Sequence, residues 1–255
     1  MTTQQDKAQT FRSLHVAGRP LVLFNIWDAG SAKAVADAGA PALATGSWSV
    51  AAAYGYADGE KIPLDTVLAN LRRIVAQTTL PVTVDLESGY GETPADVGHT
   101  VSAAIEAGAI GCNLEDSFPA DGSLRPTGDA ASRIGQARAA ADRSGVAFFV
   151  NARCDVFFQR PADTHDAALV DAVLERAAAY ADAGADGLFV PGLADLALIA
   201  RLAADSPLPL NIMIGPGSAA FDRLASAGVA RISHGPGPYM AAMNAVKAAA
   251  KAIYG

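Results

Sequence analysis

Short apolar runs alternate with alanine-rich, helix-forming stretches along the whole chain, and this alternation limits the fold more than any other feature. Eight runs are typical of buried strands: 21–27, 42–46, 82–87, 111–115, 147–153, 187–190, 210–214 and 230–234. A helical stretch follows each one: 31–38, 64–77, 94–107, 130–144, 166–183, 194–204, 218–227 and 238–254. Eight strand–helix units predict an α/β protein with a (β/α)8 TIM barrel. A doubly wound open sheet is the alternative fold.

A repeated glycine signal supports this count of units. Four predicted helices end in an Ala-Gly pair directly before a strand, at Gly39, Gly108, Gly184 and Gly228. Glycine at this position takes the left-handed conformation that ends a helix. The chain has 255 residues, of which 51% are hydrophobic, and no compositional break divides it. We therefore expect a single barrel domain over residues 1–255.

Composition also excludes several classes of function. The net charge of -7, without a basic run, argues against a nucleic-acid partner. The apolar stretches are too short to cross a membrane, and the polar N-terminus is unlike a secretory signal. The two cysteines, Cys112 and Cys154, fall in predicted buried strands, which disfavours a disulfide framework. We expect a cytoplasmic protein with no membrane partner.

Carboxylates end two of the predicted strands. Side chains alternate along a strand, so Asp85 and Glu87 are expected on one face, with Glu115 on the next strand. Such a hard-oxygen cluster suits Mg²⁺, with Mn²⁺ as the alternative. The competing interpretation is that acidic residues merely end strands and cap helices. Two carboxylates on one buried face repel each other without a cation, so we favour a metal site formed by Asp85, Glu87 and Glu115.

An arginine lies in the fifth predicted strand. Arg153 shares a face with Asn151 and Asp155 in an otherwise apolar run. A buried arginine must be paired or must bind an anion, and its planar fork suits a carboxylate or a phosphonate. A structural ion pair with Asp155 or Glu115 is an equal alternative. The two interpretations are compatible, because one edge can be paired while the other binds substrate.

The segment after the second predicted strand supplies further candidates. Backbone amides and hydroxyls around Gly46 and Ser47 can hold an oxyanion, whereas Trp48 is either a contact to substrate or plain packing. Asp58 is a candidate supporting carboxylate, with an exposed loop as the simpler interpretation. Asn113 and Asn211, in the fourth and seventh predicted strands, complete the candidate substrate-binding residues.

Taken together, these motifs resemble the isocitrate lyase / phosphoenolpyruvate mutase superfamily over nearly the whole chain. The matching segments are Asn25-Ile-Trp-Asp-Ala29, Thr45-Gly-Ser47, Asp85-Leu-Glu-Ser-Gly-Tyr-Gly91, Asn113-Leu-Glu-Asp116 and Asn151-Ala-Arg153. The resemblance implies a magnesium-dependent barrel that makes or breaks C–C or P–C bonds next to a 2-oxo acid through a metal-stabilised enolate. It also implies a homodimer or homotetramer whose subunits exchange the last helix.

The resemblance implies roles for individual residues. Asp85 and Glu87 would anchor the metal directly or through water, beside Glu115, while Ser47 and Arg153 would hold the carboxylate and the oxyanion. The chain departs from the family in two places. The second metal-loop acid is Glu87 rather than aspartate, and loop 117–128 lacks the Lys-Lys-Cys-Gly-His motif of the isocitrate lyases and the asparagine of the mutases.

We therefore expect a lyase that cleaves a C–C bond in a small 2-oxo- or 2-hydroxy-carboxylate, with Arg153, Ser47 and Asp58 as candidate catalytic residues. An oxaloacetate decarboxylase, or a phosphonopyruvate hydrolase or phosphoenolpyruvate mutase, is the alternative among enzymes. A catalytically silent barrel that binds a 2-oxo acid is the alternative of another class. A phosphosugar isomerase is compatible with the fold but lacks an evident glutamate–histidine pair.

Overall fold

The computed structural model describes residues 2–255, and within them eight parallel strands form one sheet. The strands are β1 (Leu21–Leu23), β2 (Leu43–Ala44), β3 (Val82–Asp85), β4 (Gly111–Glu115), β5 (Phe149–Arg153), β6 (Gly187–Val190), β7 (Leu210–Met213) and β8 (Arg231–Ser233). Their order around the sheet is β1-β8-β7-β6-β5-β4-β3-β2. Backbone bonds at Ile26 and Thr45 then join β1 to β2, so the sheet closes into a barrel. The (β/α)8 prediction is confirmed, and the open-sheet alternative is wrong.

Helices surround this barrel and connect its strands. They are α1 (Gln4–Ser13), α2 (Ala29–Asp37), α3 (Ser47–Ala53), α4 (Leu64–Ala76), α5 (Pro94–Glu106), α6 (Thr127–Ser144), α7 (Ala167–Asp182), α8 (Leu196–Asp205), α9 (Phe221–Ser226) and α10 (Gly237–Tyr254). All eight predicted helices are present, with small shifts at their ends. The predictions missed α1 and α3, because neither belongs to a strand–helix unit.

Helix α1 covers one end of the barrel, opposite the carboxyl ends of the strands. It begins with a capping box in which the Thr3 and Asp6 side chains bond to each other's backbone amides. Its buried Phe11 packs edge-on against Phe149, the first residue of β5, with ring centroids 5.5 Å apart. One end of the barrel is therefore filled with apolar side chains, which leaves the other end for polar groups.

Helix α10 lies almost entirely outside the core. Of its 18 residues only Pro238 is buried, and Met240, Met243 and Val246 are exposed. Within residues 2–255, no helix is both long enough and apolar enough to span a bilayer. Both cysteines are buried and unpaired, in agreement with the expected lack of a disulfide framework.

Candidate active site

Strand ends bring the predicted carboxylates and the predicted arginine to one end of the barrel. Asp85 is the last residue of β3, Glu115 the last of β4 and Arg153 the last of β5. The parallel register places Asp85 beside Asn113, and Glu115 beside Arg153. Asp85 Oδ2 accepts a 3.2 Å hydrogen bond from the Ser47 amide at the start of α3. The ends of β2, β3, β4 and β5 therefore contribute to one site.

Glu87 reaches this site through a turn and not through strand alternation, because β3 ends two residues earlier. Its φ of 50° lies in the left-handed region. Its Oε2 accepts bonds from the amides of Gly59 at 2.8 Å and Glu60 at 2.6 Å, and its Oε1 accepts one from the Tyr90 hydroxyl at 3.0 Å. Burial, followed by the charge of Asp58, raises the pKa of Glu87 to about 7.

Glu60 was missed by the sequence analysis, although it holds the site together. Its Oε1 accepts bonds from the Ser88 hydroxyl at 2.7 Å and from the Tyr90 amide at 2.8 Å. Glu60 therefore ties the loop that carries Asp58 to the turn that carries Glu87. The spacing Asp58-Gly-Glu60 was visible in the sequence, but nothing there indicated that the second carboxylate faces inward.

Arg153 is paired on two edges. Its Nη1 lies 2.7 Å from Glu115 Oε2, while its Nε and Nη2 donate to the two oxygens of Asp155 at 2.6 and 3.1 Å. Burial lowers the pKa of Arg153, but these carboxylates more than offset it, so the pKa lies above the ordinary value. Burial raises the pKa of Glu115, and Arg153 opposes that rise. Each Nη atom still carries one further N–H, so the arginine can bind substrate while it stays paired.

Asp58 and the start of α3 also face this site. Gly46 is the N-cap of α3, so a helix begins where the sequence analysis expected a turn. Asp58 lies in an exposed part of the loop before α4, but that loop borders the same cavity as Ser47 and Trp48. Burial and then the charge of Asp85 raise the pKa of Asp58. The simple interpretation of Asp58 as a remote surface residue is therefore not supported.

Two connected cavities open at this end of the barrel. The inner cavity, of about 190 Å³, is lined by Asn25, Gly46, Ser47, Trp48, Ser49, Asp58, Asp85, Asn113, Arg153, Phe158, Phe189, Pro191, Met213, Ser233, Gly235 and Pro236. The outer cleft, of about 510 Å³, is lined by Asp58, Gly59, Glu87, Glu115, Ser117, Phe118, Pro119, Asp121, Gly122, Ser123, Arg153, Asp155, Phe158 and Gln159. Asp58, Arg153 and Phe158 belong to both, so two of the predicted site residues, Asp58 and Arg153, lie where the two cavities meet.

Asn211 is the one predicted substrate-binding residue that does not line these cavities. It is buried deeper in β7, beside Arg231 of β8, and its Oδ1 accepts a 3.1 Å bond from Ser233. Met213, two residues further along β7, lines the inner cavity in its place. Asn113 does line the cavity, and its Oδ1 accepts a 2.9 Å bond from Asn151.

Loop 117–128 forms a small hairpin over the outer cleft, with Ser117 bridged to Leu124. The Ser117 hydroxyl donates to Asp155 Oδ2 at 2.8 Å, and the Gln159 amide donates to Ser117 and to the Gly122 carbonyl. The hairpin is therefore fastened to the segment after β5.

The side chains of this hairpin differ in what they offer the site. Asp121 and Ser123 line the cleft and bond to each other, the Ser123 hydroxyl donating to Asp121 Oδ1 at 2.7 Å. Arg125, the third charged or hydroxyl side chain near the hairpin tip, is buried away from the cleft. It stacks on Phe118, 4.1 Å from the ring centroid, and pairs with Asp129 at 3.1 Å.

The charges of the site fit a divalent cation. Burial and neighbouring carboxylate charges raise the pKa values of Asp58, Glu87 and Glu115, and the charge of Asp85 contributes to all three. Arg153 is the sole cation among the described residues lining either cavity. Across residues 2–255, however, no three Asp, Glu, His or Cys side chains converge as ligands of one ion. This set therefore fits a hydrated Mg²⁺, which keeps several waters and takes few direct protein ligands.

Sequence relatives include enzymes that act on small carboxylates. The phosphoenolpyruvate phosphomutase family model matches residues 11–254. The 2-methylisocitrate lyase of Salmonella typhimurium is 32% identical, over 96% of this chain and 83% of its own length. An oxaloacetate decarboxylase of Rhodopseudomonas palustris is 33% identical, over 87% of this chain and 76% of its own length.

Solved structures of related proteins also resemble this chain in fold and sequence. A Burkholderia cenocepacia protein described as a candidate phosphonomutase is 60% identical, with a TM-score of 0.96 over 98% of this chain and 99% of its own. A phosphonopyruvate hydrolase in complex with oxalate and Mg²⁺ is 25% identical, with a TM-score of 0.84 over 97% of this chain and 87% of its own. The predicted superfamily is confirmed: this chain belongs to the phosphoenolpyruvate phosphomutase family.

Proposed function

We propose that this protein is a magnesium-dependent lyase that cleaves a C–C bond in a small 2-oxo- or 2-hydroxy-carboxylate. The observation that carries the proposal is the group of four neighbouring carboxylates beside one doubly paired arginine at the mouth of the barrel. Relatives that cleave 2-methylisocitrate or decarboxylate oxaloacetate support the reaction class. The phosphonopyruvate hydrolase that holds oxalate and Mg²⁺ supports the choice of metal.

The proposal gives each group a task. The free N–H groups of Arg153 bind the substrate carboxylate, and the Ser47 hydroxyl donates to the adjacent oxygen. Asp85 and Glu87 hold the cation, chiefly through water, and Asp58 and Glu115 complete its negative surroundings. Magnesium, or manganese as the alternative, supplies a Lewis acid that polarises the substrate's oxygens. Hairpin 117–128 shields the reacting atoms from water.

A turnover screen tests this function. The purified protein is incubated with Mg²⁺ and oxaloacetate, 2-methylisocitrate, branched malates, phosphonopyruvate or 4-hydroxy-2-oxo acids, and products are identified by mass. We expect cleavage of at least one compound, lost with EDTA and in Asp85→Ala. Asp37→Ala, at an exposed ion pair on α2, is the matched control and should retain full activity. Turnover that persists in Asp85→Ala with unchanged magnesium dependence would exclude this assignment.

Decarboxylation of oxaloacetate is the second candidate, and the hairpin favours it. Three polar side chains of the hairpin line the cleft, and all are engaged within the protein: Asp121 and Ser123 are bonded to each other, and Ser117 donates to Asp155. Loss of carbon dioxide needs no acid that protonates a bulky leaving group, so it tolerates such a hairpin. Release of carbon dioxide and pyruvate from oxaloacetate, above the rate with Mg²⁺ alone, would identify this reaction.

We also propose that the protein is a homodimer or homotetramer whose subunits exchange α10. The helix is about 27 Å long at 1.5 Å per residue, and it exposes several methionine, valine and alanine side chains. A second copy of the chain would cover these side chains. Light scattering should give a dimer or tetramer for the full chain and a folded monomer for a variant ending at residue 236. A full chain that is monomeric at micromolar concentration contradicts the exchange.

We also propose a cytoplasmic location, because both thiols are unpaired.

A further inference from the structure

The inner cavity has one polar side and one apolar side. Its polar side carries Asp85, Ser47 and Asn113, where the proposed chemistry takes place. The other side, which we call the apolar wall, consists of Trp48, Phe158, Phe189, Pro191, Met213 and Pro236. None of these six side chains is needed for metal binding or for holding a carboxylate. They therefore indicate which group the substrate carries beyond its carboxylate.

The apolar wall begins directly beside the carboxylate-binding arginine. The guanidinium carbon of Arg153 lies 5.2 Å from the centre of the Phe158 ring and 6.0 Å from that of Phe189. A substrate whose carboxylate is held by Arg153 would thus place its next carbon atoms near these rings. Phe158 is 55% exposed in the empty cavity, so covering it with an apolar group removes that surface from water.

The position of Phe158 is fixed by a close backbone contact. Gly192 follows β6 with φ 86°, and a Cβ placed on it would lie 2.9 Å from the Phe158 Cα. The loop after β6 therefore packs tightly against the loop after β5. This contact sets where the backbone of Phe158 lies, and so places its ring at the edge of the cavity, as expected of a largely preformed pocket.

The charges disfavour a second carboxylate in the substrate. The proposed Mg²⁺ is taken up by the oxygens of the 2-oxo or 2-hydroxy end. Arg153 is the single cation among the described lining residues, and Glu115 and Asp155 already bind it on two edges. The outer cleft adds further acidic groups at Glu87 and Asp121. A second substrate carboxylate would meet apolar side chains or like charges, and burying an unpaired carboxylate is strongly unfavourable.

We infer that the substrate carries a single carboxylate, at its 2-oxo or 2-hydroxy end, and an alkyl or aryl substituent that packs against the apolar wall. This inference rests on the proposed function, since it assumes that Arg153 binds the carboxylate of the 2-oxo or 2-hydroxy acid. It separates this chain from enzymes whose substrates are di- or tricarboxylates. Within the turnover screen it therefore favours the 4-hydroxy-2-oxo monocarboxylates and decides against oxaloacetate, the second candidate above.

Three 2-oxo acids with the same reactive end test the inference by titration calorimetry in Mg²⁺. Pyruvate has no extended substituent, 2-oxo-4-methylpentanoate has a branched alkyl one, and 2-oxoglutarate has a charged one of similar length. We expect 2-oxo-4-methylpentanoate to bind at least about tenfold more tightly than the other two, since each buried CH₂ contributes roughly fourfold in affinity. Binding of 2-oxoglutarate with equal or higher affinity would overturn the inference.

A charge placed in the apolar wall provides the matched variant. Met213→Lys should weaken binding of 2-oxo-4-methylpentanoate and strengthen binding of 2-oxoglutarate, so that the preference narrows or reverses. Gln77→Lys adds the same charge on the exposed end of α4, at the opposite end of the barrel, and should leave the preference unchanged. An unchanged preference in Met213→Lys, with the variant folded by circular dichroism, would also overturn the inference.

The titrations distinguish the two proposals. If pyruvate binds only with Mg²⁺ and 2-oxoglutarate is preferred over the alkyl acid, the proposed function stands and the single-carboxylate substrate is wrong. If none of the three acids binds in the presence of Mg²⁺ while the turnover screen identifies a substrate, the proposed function stands and the inferred substituent is wrong. If the screen also finds no turnover, both proposals are overturned.

Discussion

Replacing Arg231 with methionine should stabilise the protein, although the change removes a charge from the middle of the barrel. Arg231 is fully buried on β8, and its Nε and Nη1 have no hydrogen-bond partner within residues 2–255. Its one polar contact is a long bond of 3.4 Å from Nη2 to Asn113 Oδ1. The buried charge is therefore poorly compensated, whereas methionine fills similar space without polar donors.

The structure gives the size of this effect. Burial lowers the pKa of Arg231 from 12.5 to about 10, and Asp85 offsets this only in part. At 1.36 kcal/mol per pKa unit, the charge destabilises the folded state at neutral pH by about 3 kcal/mol. The methionine variant also loses the long hydrogen bond and the contact with the Phe11 ring, which lowers its gain in stability by about 1–2 kcal/mol. The net gain is about 1–2 kcal/mol, or a rise in melting temperature of roughly 2–8 °C.

Thermal unfolding followed by circular dichroism measures this gain, and Arg153→Met is the contrasting variant. Arg153 has close bonds to Glu115 and Asp155, so its removal leaves two carboxylates without their partner and should destabilise the protein by about 3–5 kcal/mol. A lower melting temperature for Arg231→Met would contradict this prediction, because it would show that unpaired donors in the barrel interior are compensated in the native protein.

Three further predictions concern the site. Without metal, the contribution of Glu87 to the free energy of unfolding should fall by about 3 kcal/mol as the pH rises from 4.5 to about 7, because Glu87 ionises in the unfolded chain before it ionises in the folded one. Glu115, whose pKa is also raised, adds to this loss; Glu87→Gln should therefore reduce the slope of the pH profile, and Mg²⁺ should raise the melting temperature more at pH 8 than at pH 5. Gly192→Ala should displace Phe158 and raise the KM for substrates with an alkyl substituent several-fold in steady-state assays, with a smaller effect on pyruvate binding. Gln159→Ala should loosen hairpin 117–128, seen as faster amide hydrogen exchange there, while the melting temperature changes by no more than a few degrees.

Strand ends were predictable from the sequence because they follow from periodicity. The eight apolar runs and their glycine-terminated helices placed Asp85, Glu115 and Arg153 at one end of the barrel, and the structure agrees. The bonds from Arg153 to both Glu115 and Asp155 were also among the sequence-based alternatives. Residues inside regular strands point where alternation requires, so a pattern is sufficient to place them.

Loop residues were not predictable in the same way. For Asp58 the sequence left two interpretations open, a supporting carboxylate or an exposed loop residue, and Glu60 was not considered, because no periodicity governs an irregular segment. The apolar wall was missed for another reason: Phe158, Pro191 and Pro236 come from three different loops, and only the closed barrel brings them together. Asn211 does not line either cavity, because strand alternation predicts which face of the barrel a side chain points to but not its depth along the barrel axis.

The two loops that meet at the carboxylates also contain the unusual backbone conformations of the site. Within residues 2–255, the non-glycine residues with positive φ are Glu60, Glu87 and Tyr90, and all three belong to the two loops that meet at the carboxylates. Such conformations cost of order 1–3 kcal/mol each, so the surrounding contacts must hold them in place. Glu87 accepts three hydrogen bonds and Glu60 accepts two, which fixes both loops while leaving the repulsion between their carboxylates unrelieved. The proposed Mg²⁺ would relieve this repulsion without moving the loops, so part of the stability lost at the site would become affinity for the metal.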